Sequence, residues 1–124
     1  MLPAAVAIHR AGLAVDPDEF ADVSFEVMPR WLRRISGAGI EGISVARRVF
    51  VTEEVFEQVV LGQRPDIVAH ELVHTAQWAD GGLGFWARYV GEYAGLRLLG
   101  LSHGAAYRGI SYEVDAQRVA SEHL

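Results

Sequence analysis

The chain has 124 residues, 51% hydrophobic and 22% charged, with no cysteine. A chain of this length and apolarity builds one hydrophobic core, so a single domain over residues 1–124 is expected, and the absence of cysteine excludes disulfides, thiolate metal sites and a cysteine nucleophile. Sixteen acidic residues against eleven basic give a net charge of −5, and no basic run exceeds the pairs Arg33-Arg34 and Arg47-Arg48, which argues against a nucleic-acid partner.

Met1 to Val15 is apolar but lacks a basic leading segment and is interrupted by Pro3, His9 and Arg10, unlike a secretory signal. A cytoplasmic location is therefore expected, with export by a dedicated system left open. Asp22 to Met28 alternates, with Val23, Phe25 and Val27 on one face and Ser24 and Glu26 on the other, which predicts a half-buried strand ended by Pro29. Trp31 to Ile35 is compatible with a helical turn, and Ser36-Gly37-Ala38-Gly39 reads as a turn. Ile43 to Val51 is a second strand candidate, with Ile43, Val45, Val49 and Val51 expected on one face. Thr52 followed by Glu53 and Glu54 marks the start of a short helix through Val60 that Gly62 stops.

The second half is predicted to be helical. Pro65-Asp66 opens a helix to about Trp78, closed by Asp80-Gly81-Gly82. A second long helix is expected over Phe85 to Leu99, where Gly91 and Gly95 point to close contact with a neighbouring element, and a last helix starts at Ser111. The most apolar stretch, Gly81 to Tyr107, carries Arg88, Glu92, Arg97 and His103, so no membrane span is expected. Trp78, Phe85, Trp86, Tyr89 and Tyr93 read as aromatics joining the two long helices. His9 and His123 lie in terminal segments and read as solvated.

The chemistry is concentrated in Ala69-His70-Glu71-Leu72-Val73-His74-Thr75-Ala76-Gln77-Trp78. On a helix, residues four apart stack on one face, so His70 and His74 can direct two imidazoles at one cation. Glu71 projects about 100° round the helix from His70, beside the open side of such a metal, where it can take a proton from the attacking water. Catalytic zinc takes three protein ligands. Glu113, near the start of the last helix, is the candidate third, and Asp115 is the competing carboxylate on another face of that helix. His103, Tyr107, Arg108 and Tyr112 lie in the segment leading to Glu113. Tyr107, Tyr112 or His103 is a candidate to stabilise the oxyanion of a tetrahedral intermediate, with packing as the plainer role for each. Gln77, three residues after His74, reads as a helix-surface residue within reach of the site.

His-Glu-Leu-Val-His-Thr-Ala-Gln-Trp followed, beyond an intervening helix, by Tyr-Glu-Val-Asp-Ala-Gln-Arg-Val-Ala resembles the gluzincin metallopeptidases. The likeness is closest to small bacterial metallopeptidase-like domains, a group that includes the core domain found with extracellular contractile injection systems. It covers approximately Gly42 to Ala120. The resemblance implies an α+β, zincin-like fold: a short N-terminal β-sheet, then the active-site helix and two further helices. It also implies Zn2+ as cofactor, His70, His74 and Glu113 as its ligands, and Glu71 as general base. Related membrane-associated gluzincins carry an Asp where this chain has Gln117; that Asp steadies a ligand His. Such peptidases bind substrate backbone along an edge strand, for which Val45 to Val51, with Val45, Arg47 and Val49, is the candidate, an ordinary sheet strand being the alternative. The expected function is zinc-dependent hydrolysis of a peptide or protein substrate. A zinc-binding, non-catalytic module for assembly or delivery on the same scaffold is the alternative, and a metal-free helical interaction domain the third reading.

Overall fold

The computed structural model describes residues 1–37 and 39–122; Ala38 of the expected turn and His123 lie outside them. Pro3 leads into an alanine-rich stretch of high helix propensity, and the chain forms a two-residue strand, β1 (Leu2–Pro3), followed by helix α1 (Ala4–Ala11). The apolar pattern alone predicts no helix here. Burial of Ala4, Ala7 and Ile8, spaced three and four apart, supplies the packing that fixes it.

After a short 3-10 turn (Pro17–Phe20) come β2 (Ser24–Val27) and α2 (Arg30–Ser36), then β3 (Gly42–Val45), β4 (Arg48–Val51) and α3 (Glu53–Val60). Thr52 caps α3 by accepting from the Val55 N–H, as its position before two acids predicts. The strand expected over Ile43 to Val51 is instead a hairpin: Ala46, at φ 54°, and Arg47 turn the chain between β3 and β4. Register pairs Ile43 with Phe50 and Ser44 with Val49, so Ser44 shares the buried face with Val49 while Ile43 and Val45 lie on the other. A continuous period of two runs through Ala-Arg because neither residue carries the usual turn chemistry.

The sheet order is β1-β2-β4-β3, with β2 and β4 parallel and the outer pairs antiparallel. Helix α4 (Pro65–Leu98) follows, then α5 (His103–Gly109) and α6 (Ser111–Glu122). The predicted stop at Asp80-Gly81-Gly82 is a break within α4: Gly82 adopts φ 55° and ψ −135°, a conformation open essentially to glycine alone, and the second arm resumes at once. Gly91 and Gly95 face open space; the expected close contact at these positions is absent because the second arm leaves that side exposed. The core lies between the sheet and α1, α3 and the first arm of α4, centred on Ile8, Phe25, Val49, Val51, Val59 and Val68. The class is therefore α+β, with the sheet in the N-terminal half. Among the described residues no helix is long and apolar enough to cross a membrane.

Candidate metal centre

His70 and His74 project from the first arm of α4 and Glu113 from the first turn of α6. His70 Nε2 lies 2.9 Å from Glu113 Oε2, and His74 Nε2 lies 2.9 Å from Glu113 Oε1. The two Nε2 atoms are 3.2 Å apart. The two 2.9 Å contacts go to different oxygens of the carboxylate; one ligand atom from each of the three residues lies within 4.8 Å of the others, close enough for the three to turn onto one ion. The set of two imidazoles and one carboxylate suits a divalent first-row metal. Asp115 is turned away and pairs with Arg118.

The supports of this triad come from α4 on both sides of its break. Gln77 Oε1 sits 2.7 Å from His74 Nδ1 and accepts its proton-bearing side, which leaves Nε2 free to ligate. The Gln77 amide nitrogen donates to the Tyr112 carbonyl at 3.2 Å, fixing the amide's orientation and tying α4 to α6. From the second arm, the Tyr89 hydroxyl donates to Glu113 Oε1 at 2.6 Å, and Glu92 accepts from both the backbone and the hydroxyl of Ser111 at the start of α6. Gln117 is exposed on α6 and lines the polar cavity beside His70. The side chain that orients His74 is Gln77.

Glu71 is buried against β3. The Ser44 hydroxyl lies 2.8 Å from Glu71 Oε2, and a Cβ on Gly42 would stand 3.0 Å from Glu71 Oε1. Burial pushes the Glu71 carboxyl above its usual range, against the pull of His74, His70 and Ser44. Burial also opposes a carboxylate at Glu113, but hydrogen bonds from His70 and His74 overcome it and hold the group well below the usual range. For His74, burial disfavours the imidazolium, yet Glu113 and Glu71 raise it to about 9. Burial and the neighbouring carboxylates Glu113 and Glu71 push the Tyr107 phenol up, so it remains an O–H donor at neutral pH.

Two cavities flank the triad. One, of about 290 Å³, is walled by aromatic and aliphatic side chains and reaches Glu71, His74 and Glu113. The other, of about 220 Å³, is polar and borders His70 and Arg64. Glu71 and Tyr107 line both. His103 lines the apolar cavity and is hydrogen-bonded to the Tyr93 hydroxyl at 2.7 Å. Tyr112 lines neither; its ring packs on Phe85, with centroids 4.7 Å apart, behind the ligands.

The candidate substrate strand requires correction. Val49 lies in β4, fully buried and paired on both sides, so it has no free strand edge to offer. Arg47 lies in the hairpin turn, bound to Asp22 at 2.7 Å. Of the three, only Val45 is on the edge strand, β3, which runs beside Glu71. Ser44 and Tyr89 carry no mark of the site in the sequence: Ser44 depends on the hairpin reversing strand parity, and Tyr89 on the break at Gly82. Gln77 was accessible from its spacing of three from His74. Comparisons with family models, curated proteins and solved structures return no match.

Proposed function

We propose that the chain is a zinc-dependent peptidase of zincin-like design that hydrolyses peptide bonds in a peptide or protein substrate. The observation that carries this reading is the convergence of His70, His74 and Glu113, whose ligand atoms lie within 4.8 Å of one another, with the carboxylate of Glu71 buried beside them and lining both cavities. A zinc ion held by His70, His74 and Glu113 would act as a Lewis acid toward the carbonyl and lower the pKa of a bound water toward neutrality. Glu71, whose carboxyl burial raises above its usual range, accepts the proton as the water oxygen attacks the carbonyl carbon. It then delivers that proton to the amine nitrogen as the C–N bond breaks. Tyr107, kept protonated, is the donor in reach of both cavities for the developing oxyanion. The edge strand β3 offers backbone groups to an extended peptide, although the Ser44 carbonyl already accepts from Trp78 Nε1 at 3.0 Å.

Metal analysis of protein purified without chelator, together with a peptide-library digest, tests this. About one zinc per chain is expected in the parent, and much less in His74→Ala and Glu113→Ala. Glu71→Gln is expected to retain zinc and lose cleavage. Equal cleavage by parent and Glu71→Gln, or cleavage by neither, overturns the proposal.

A further inference from the structure

We infer that the apolar cavity receives one large apolar side chain, aromatic or long aliphatic, from the residue next to the scissile bond, and that Trp86 and Val90 at its rim set this preference. The inference rests on the peptidase reading and names the substrate class for the same site. Continuity is the first argument. Glu71, His74 and Glu113 line this cavity, so a side chain held in it belongs to a residue adjoining the reacting carbonyl.

The chemistry of the wall is the second argument. Ile40, Ile43, Trp78, Phe85, Trp86 and Val90 give it an apolar wall, and among the described residues no Lys or Arg lines it. An acidic side chain would meet no Lys or Arg in this wall, and the carboxylates of Glu71 and Glu113 already have partners in Ser44, Tyr89 and the two imidazoles. Size is the third. At about 290 Å³ the cavity sits at the low end of small-ligand sites, roughly 300–1,000 Å³, which fits a single bulky side chain better than a longer segment. Trp86 stacks on Trp78 with centroids 6.0 Å apart, yet remains 47% exposed, and Val90 is 44% exposed. These are apolar surfaces beside a cavity that an entering apolar side chain would cover. The polar cavity on the other side, bordered by Glu41, Arg64 and Asp66, offers no comparable surface.

The test has a catalytic arm and a binding arm. In a library digest by the zinc-loaded protein, Phe, Tyr, Trp, Leu or Met is expected to be enriched on one side of the cleaved bond. Val90→Glu should move that enrichment toward Lys and Arg, and Trp86→Ala should lower kcat/KM for Phe-containing peptides at least tenfold. In the binding arm, amide NMR of the purified protein should show saturable shifts around Gly42–Ser44 and Trp86–Val90 with N-acetyl-phenylalanine amide and none with N-acetyl-aspartic acid amide. Cleavage without apolar enrichment, or enrichment unmoved by Val90→Glu, overturns the inference. Absence of cleavage with selective binding upholds the pocket and removes the peptidase reading. Absence of both removes both.

Discussion

Ser44 is the residue through which the fold adjusts the Glu71 carboxylate, the proposed general base. Its hydroxyl donates to Glu71 Oε2, and a hydrogen bond to the charged form favours that form. In Ser44→Ala the carboxylate loses this donor, so the Glu71 carboxyl rises further and a larger fraction is protonated at a given pH. Because the base acts deprotonated, the acidic limb of the kcat/KM profile is expected to move to higher pH, with zinc content unchanged. Gln77 has the parallel role for a ligand: with its amide nitrogen committed to the Tyr112 carbonyl, only its oxygen faces His74. The pair His70 and His74 was legible because helical spacing alone brings residues four apart together, and Glu113 because a third ligand had to come from elsewhere. Ser44 was not legible, since its orientation reverses when one strand becomes two.

At the scale of elements, the site depends on how tightly β3 lies on α4. Gly42 has room for hydrogen only: an added Cβ would meet Glu71 Oε1 at 3.0 Å and Cδ at 3.2 Å. Gly42→Ala must therefore displace the Glu71 carboxylate or lift the strand. Kinetic assay of this variant is expected to show roughly a tenfold to hundredfold loss of kcat, the scale on which small misplacements of a catalytic group act, with zinc binding retained. Both arms of α4 and the start of α6 were legible because Pro65-Asp66, Asp80-Gly81-Gly82 and Ser111 are strong local signals; α5, a short helix capped by Ser102, was not. The hairpin was not, because Ala46 holds a left-handed φ of 54° without being Gly, Asn or Asp. Helix α1 was not either, since a short alanine-rich segment declares itself only through the surface it packs against.

At the scale of the whole molecule, the triad links metal, proton and fold. Without metal, His74 is raised to about 9 by Glu113 and Glu71 against its burial, so its imidazolium stabilises the folded chain. A folded value above the unfolded one of about 6.5 means that this contribution is complete below pH 6.5 and is lost as pH rises through about 9. Zinc must displace the same proton. Thermal denaturation is therefore expected to show the zinc-free protein losing stability from pH 6.5 to 9 while the gain on adding zinc grows over that window. At pH 7.5, zinc at a hundredfold excess over Kd should add about 2.7 kcal/mol. The break at Gly82 has a wider consequence. It divides one continuous helix into an arm that carries His70, Glu71, His74 and Gln77 and an arm whose exposed positions Trp86 and Val90 border the cavity. On the proposed reading, substitutions at those exposed positions change what the cleft accepts without touching a ligand or the base, so selectivity and chemistry sit on separate arms of one helix.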